Sequence, residues 1–246
     1  MPVDPGARLW REVTNRLARE VSIRTTATYL RYAEGALSLD EAIGITASLI
    51  AAAQRRAVTA NDVLLAAELT RQLESEHTAT GMQWMETPDE QVARLSRAVT
   101  TVVGDDIAYI EAATGKTREQ VLAMRARSIR ARLGRLTDSE VVGASQWSRQ
   151  TAMQIWEERG VIRGWYRRLS PGACDWCRIM GGSPPDKYIR PVQHRLPTHP
   201  KCNCSQGWVT DLEPGMVWLG PRQQMRDLPG AEDATTVDRT QKSTRA

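Results

Sequence analysis

The sequence predicts a mainly α-helical protein that ends in a small α+β module and a flexible tail. Three observations carry that expectation. From Pro5 to about Gly160, apolar residues recur at three- and four-residue spacing between Ser/Thr capping motifs. At Val161 the texture changes to β-branched and aromatic residues alternating with polar ones. All four cysteines of the 246-residue chain then fall between positions 174 and 204, in a stretch rich in Gly and Pro. This divides the chain into an N-terminal helical region over 1–80, a helical core over 87–160, a small β-containing module over 161–219 and a tail over 220–246.

The helical elements follow from caps and stripes. Asp4 followed by Pro5 starts the first helix, with Leu9, Val13, Leu17 and Val21 on one stripe. The pattern predicts a second helix from Thr25 to Glu34, stopped at Gly35. Ser38-Leu39-Asp40-Glu41 is a capping box and starts a third, Ala-rich helix that runs to about Arg56. Thr59 caps a fourth, with Val63, Leu64, Ala67 and Leu73 on one side. The pattern breaks over 75–86, where a hinge is expected. Beyond it, Thr87-Pro88-Asp89-Glu90, Thr117-Arg118-Glu119-Gln120 and Thr137-Asp138-Ser139-Glu140 each pair a capping hydroxyl with Glu or Gln three residues on. The helix after Thr117 carries Leu122, Ala126, Ile129 and Leu133 and stops at Gly134. The helix after Thr137 carries Val141, Gln146, Trp147, Arg149, Ile155 and Trp156 and ends at Gly160. Val161–Leu169 reads as a strand, and Ser205–Leu212 as a second that can pair with it and hold the intervening loop at their ends. After Gly220 large apolar groups almost disappear, the composition of a disordered tail.

The loop between those strands holds the chemistry. Cys174-x-x-Cys177 and Cys202-x-Cys204 are two close-set thiol pairs, and His199 precedes the second as His199-Pro200-Lys201-Cys202-Asn203-Cys204. Each pair supplies neighbouring ligands, so the set suits one tetrahedral Zn2+ ion, with His199 able to replace Cys202 or Cys204. A C-x-C pair brings its sulfurs together less readily than C-x-x-C, which keeps five donors in view for four places. The loop is too poor in apolar side chains to fold alone, whereas structural zinc contributes on the order of 10–16 kcal/mol in small metal-dependent folds. Disulfides would need an oxidising compartment, and the opening MPVDPGARLWREV lacks an apolar export segment. His194 is a weaker ligand candidate, because the four thiols and His199 already exceed a tetrahedral shell.

Composition limits the function classes. Hydrophobic residues make up 41% and charged residues 25%, ordinary for a soluble globular protein, and no uncharged apolar run reaches the length of a membrane span. A membrane partner is therefore not expected. Net charge is +4, carried mostly by Arg, which permits contact with nucleic acid or acidic proteins without establishing it. The helix after Thr117 displays Arg118, Arg125, Arg127, Arg130 and Arg132, which could track DNA phosphates. With no aromatic residues interleaved for base stacking, a solvated face is the plainer reading. Trp147, Trp156 and Trp165 are expected in the core where helix meets strand, and Trp176 beside the metal. His77 sits in a polar run that reads as a solvated loop.

The linear order of the helix, Gly160-Val161, Trp165, Cys174-x-x-Cys177, Gly181 and His199-Pro200-x-Cys202-x-Cys204 resembles the C-terminal half of the phage Mu protein F-like (MuF-like) minor head proteins of tailed phages. Arg149 stands where that family's helix Arg would, and Trp165 where its strand Trp would. Arg149 is followed by Gln150 and Thr151, whereas the family pattern has an acidic residue soon after. The resemblance covers roughly residues 137–210. It implies a low-copy head-morphogenesis protein of the virion, inside the capsid or at the portal vertex, assembled in the host cytoplasm. The implied partners are the portal protein, with scaffold or major capsid protein and packaged DNA as further contacts. Relatives in actinobacterial phages often carry the label capsid maturation protease. No G-x-S-x-G is present, and the sequence nominates no catalytic residue. Three readings therefore stand in order: a structural assembly protein with a zinc site; a capsid maturation protease or other metal-dependent hydrolase; and a zinc-knuckle DNA-binding protein.

Overall fold

The computed structural model describes residues 5–104, 107–169, 177 and 204–210. Cys174, His199 and Cys202, with most of the expected 161–219 module and the 220–246 tail, lie outside the described residues. Within them the chain is mainly helical: α1 (Pro5–Ala33), α2 (Leu39–Leu73), α3 (Pro88–Val103), α4 (Ile107–Thr114) and α5 (Arg118–Glu158), then strands β1 (Gly164–Arg168) and β2 (Ser205–Val209). Compactness separates two units, one running to Ile155 and the other beginning at Trp156.

Three sequence-predicted breaks are absent. α1 runs through Thr25, α2 through Thr59, and α5 through both Gly134 and Thr137. The hydroxyls explain two of them. Thr25 Oγ1 donates to the Ser22 carbonyl and Thr59 Oγ1 to the Arg55 carbonyl, each at 3.2 Å. A threonine that bonds back to the preceding turn sits inside a helix, not at its start. Thr137 is wholly buried, and the residues flanking it, Leu133 and Val141, enter the same core. Where a break is real, the box closes in both directions. Ser38 with Glu41 and Thr87 with Glu90 each make the reciprocal pair of bonds. Thr117 and Gln120 do the same at 3.1 and 3.4 Å. The short helix α4 was not anticipated: its eight residues are too few to show a period.

The first unit packs α1 against α2 and α2 against α3 around Leu17 and Val21, Ile43, Ala47, Ile50 and Ala51, Leu95 and Val99, joined by Ile129, Leu133 and Val141 of α5. Ala47, Ala51 and Ala57 are fully buried, and their small side chains let the helices approach closely. Leu9 and Val63, expected on buried stripes, are about half exposed. The buried stripe of α2 is instead Val58, Asn61, Asp62, Leu65 and Leu69, set by α2 being one helix with one continuous phase.

The connection over 75–86, expected as a hinge, is tied along α2. Asp62 accepts from the Thr80 amide and hydroxyl at 3.0 and 2.9 Å and from the Gly81 amide at 2.8 Å. The half-buried His77 donates its amide to Thr70 Oγ1 at 2.9 Å, and the helices on either side belong to one unit. Trp147, expected where helix meets strand, lies edge-on to Trp84 of this connection, with ring centroids 5.0 Å apart. A polar chain crosses the same region. Gln91 donates to Gln54 at 2.7 Å, Gln54 to Glu140 at 2.7 Å, and Arg94 to Glu140 at 3.1 Å and Glu86 at 2.8 Å. It satisfies polar groups of α2, α3 and α5 that burial would otherwise penalise.

In the second unit β1 and β2 pair, as their patterns predicted, and do so antiparallel, though each is five residues long and so shorter than read from sequence.

Candidate metal centre

The site is built on the β1–β2 ribbon. Its register sets Trp165 opposite Trp208, Tyr166 opposite Gly207, Arg167 opposite Gln206 and Arg168 opposite Ser205. Period-two alternation therefore puts Trp165, Arg167, Gln206 and Trp208 on one face. All four are buried, two of them polar. On the other face a Cβ at position 207 would collide with the Tyr166 ring and come within 2.5 Å of Arg168 Nε, so Gly207 is what allows those side chains to lie across β2. The Arg163 amide donates to the Val209 carbonyl at 2.7 Å and extends the ladder beyond the last pair.

Arg168 and Ser205 are the closing pair, so the thiol-bearing loop leaves and returns at one end of the ribbon. Cys204 directly precedes β2. Cys177 and Cys204, far apart in sequence, pack in one buried cluster, each about 1% exposed, and no disulfide joins them. Arg167 Nη1 donates to Cys177 Sγ at 3.1 Å. The guanidinium, 2% exposed, thus gives this sulfur a charged hydrogen-bond donor, and the thiolate is the form of cysteine that binds metal. Metal thiolates are also commonly held by hydrogen bonds from neighbouring donors that offset their charge. The chemistry of this donor pair thus fits a thiophilic cation such as zinc.

Of the five sequence-predicted donors, the structure places Cys177 and Cys204 and brings them together; Cys174, His199 and Cys202 fall outside the described residues. Among the described residues no three His, Cys, Asp or Glu converge elsewhere as a metal group. Sequence reasoning missed Arg167. Its signal was available: two residues after Trp165 on a strand, it must share that residue's face.

Arg149 has a different role. It is 1% exposed and pairs with Glu68 of α2 at 3.2 Å. The adjacent Ser148 hydroxyl donates to the Val58 carbonyl at 3.0 Å, a second tie between α5 and α2. Compared with protein-family models, with curated proteins and with solved structures, the chain matches none of them.

Proposed function

We propose that the protein is a MuF-like minor head component of a tailed phage: a low-copy structural protein of head morphogenesis, associated with the portal and stiffened by structural zinc. The observation that carries the metal part is the single buried cluster of Cys177 and Cys204 with Arg167 bonded to one sulfur. Four donors from Cys174, Cys177, Cys202, Cys204 and His199 hold the ion, which supplies a cross-link between the two ends of the loop. Cys177 and Cys204 act as thiolate ligands. Arg167 offsets their charge, and Trp165 and Trp208 exclude water from that face. The assembly part rests on the ordered match of Trp165, Arg149 and the cysteine–histidine motif to the MuF-like pattern. The helical unit then offers the docking body for the portal protein.

Metal analysis of the full-length protein, with peptide mapping of assembled heads, tests both parts. About one zinc per chain is expected, together with recovery of the protein from particles. Metal-free protein with reactive thiols would overturn the zinc centre, and its absence from particles the assembly role. Loss of capsid-protein cleavage in Cys177→Ser with incorporation intact would shift the assignment to the maturation protease.

A further inference from the structure

The arginines of α5 sort into two groups. Arg118 donates to the Ala33 and Tyr32 carbonyls at 3.3 and 3.2 Å, and Arg125 donates to the Val103 carbonyl at 2.8 Å. These two cap the ends of α1 and α3 and are occupied by the fold. Arg127, Arg130, Arg132 and Arg135 are exposed and make no hydrogen bond or ion pair among the described residues. Between Glu119 and Asp138 the sequence holds no acidic residue at all.

What distinguishes that face is the density of free arginines with no acidic neighbour. Elsewhere in the unit Arg8 pairs with Glu12, Arg24 and Arg56 with Glu20, and Arg94 with Glu86 and Glu140, while the exposed Arg16, Arg19, Arg31, Arg71 and Arg97 stand scattered among acidic residues. A surface merely kept soluble by charge needs no such segregation of sign. The residues exposed between the four arginines are Ser128 and Ala131, small enough for a ligand backbone to come close to the helix.

We infer that this face of α5 docks the phosphate backbone of duplex DNA without reading its sequence. Arg127 to Arg135 covers about 12 Å of helix at 1.5 Å per residue, and duplex DNA presents a charge about every 1.7 Å of its axis. Several phosphates are thus within reach of four guanidinium forks, whose planar donors match phosphate oxygens. The lack of interleaved aromatic rings argues against single strands, which are held by base stacking. An acidic protein surface fits less well, because a protein interface wants an apolar or aromatic centre and this face offers only the edge residue Met124. The inference uses none of the metal donors and stands independently of the zinc centre.

The test is fluorescence anisotropy of full-length protein with a labelled duplex of random sequence, between 50 and 200 mM salt. Four contacts predict a log–log slope of about −3.6, a loss of affinity of roughly a hundredfold over that range. Arg127→Ala/Arg130→Ala should reduce the slope by about two, with helicity unchanged. Arg24→Ala/Arg56→Ala removes the same charge from residues already on Glu20 and should leave binding within about twofold. An equal loss in both pairs would mean a diffuse charge effect and overturn the assignment. So would absent or salt-insensitive binding, tighter binding of a single strand of equal length, or displacement by poly-glutamate as effective, charge for charge, as by duplex. Chelator treatment separates the two sites: duplex binding that persists without metal supports the α5 face, and binding that disappears with the metal overturns it.

Discussion

The helical unit and the β ribbon bury different mixtures of side chains. In the helices the fully buried large residues include the apolar Ile50, Leu65, Leu69, Leu95 and Leu133, each worth about 1.5–3 kcal/mol by removal from water. In the ribbon they are Trp165 and Trp208 beside Arg167, Gln206 and two cysteines. A two-stranded ribbon of five-residue strands is marginal on its own, and burying a guanidinium adds to its cost. The first region is held by a large core. On the proposal of a structural zinc, the ion would stabilise the ribbon far more than the helices.

The largest expected effect breaks that asymmetry directly. Cys177→Ser or Cys204→Ser should abolish zinc retention, and the emission of Trp165 and Trp208 should move to that of solvated indole. Far-UV helicity should persist. A structural zinc is worth on the order of 10–16 kcal/mol, far more than such a ribbon can replace. If helicity collapsed as well, the two regions would not be energetically separate; if neither signal moved, the sulfurs would hold no metal.

Within the helical unit Arg149 with Glu68 is the most deeply buried of the ion pairs among the described residues. Arg149→Met leaves a buried carboxylate at Glu68 without its guanidinium and should cost about 3–5 kcal/mol in urea unfolding followed at 222 nm. Arg149→Met/Glu68→Leu should recover most of that. Failure of the double variant to recover would show that the pair does more than fill space between α2 and α5.

Acid sharpens the comparison on the helical side. Burial alone would push Glu86 up, but hydrogen bonds from Trp84 and Arg94 outweigh it and hold the carboxyl below its ordinary value. Backbone and hydroxyl bonds in the capping boxes do the same for Glu41 with Ser38 and Glu90 with Thr87. A carboxylate held low when folded stabilises above its unfolded value, about 4.3, and that contribution is lost as pH falls through the folded value. Asp138, raised by burial, and Glu157, raised by burial and by neighbouring Glu158, work in the opposite sense and favour the folded form on acidification. With three groups against two, the urea midpoint should fall below about pH 4.3, and less so in Glu90→Gln. A midpoint unchanged by acid would mean these bonds persist in the unfolded chain.

How much of this was legible follows from which interactions are local. Ser38, Thr87 and Thr117 satisfy partners three residues away, and the sequence showed all three starts. Thr25 and Thr59 have the same composition signal, but their hydroxyls turn back to the preceding carbonyl, a choice made by which face tertiary packing buries. The pairing of β1 with β2 was readable from alternation, as was the convergence of thiols at the ribbon's end for Cys177 and Cys204. Glu68 as the partner of Arg149 was not, since 81 residues separate them and only the packing of α2 on α5 brings them together. The sorting of arginines into caps and an open face needed the same information: nothing in the sequence around Arg125 says that it reaches Val103.

The smallest effects pit the two regions against each other through one substitution. Gly134 reads as a helix stop, yet α5 passes through it, and a Cβ there would sit 3.5 Å from Ser22 Oγ of α1, an ordinary contact. Gly134→Ala should therefore stabilise by about 0.5–1 kcal/mol through helix propensity, a rise of a few degrees in Tm. In the ribbon Gly207→Ala must displace the Tyr166 ring and Arg168, and should destabilise by about 1–3 kcal/mol as overpacking does. Opposite signs would show that glycine is incidental in the apolar body and obligatory in the ribbon. A loss at Gly134 would instead mean that α1 and α5 are spaced by the missing side chain, and that even this body has a contact where one methyl group is too many.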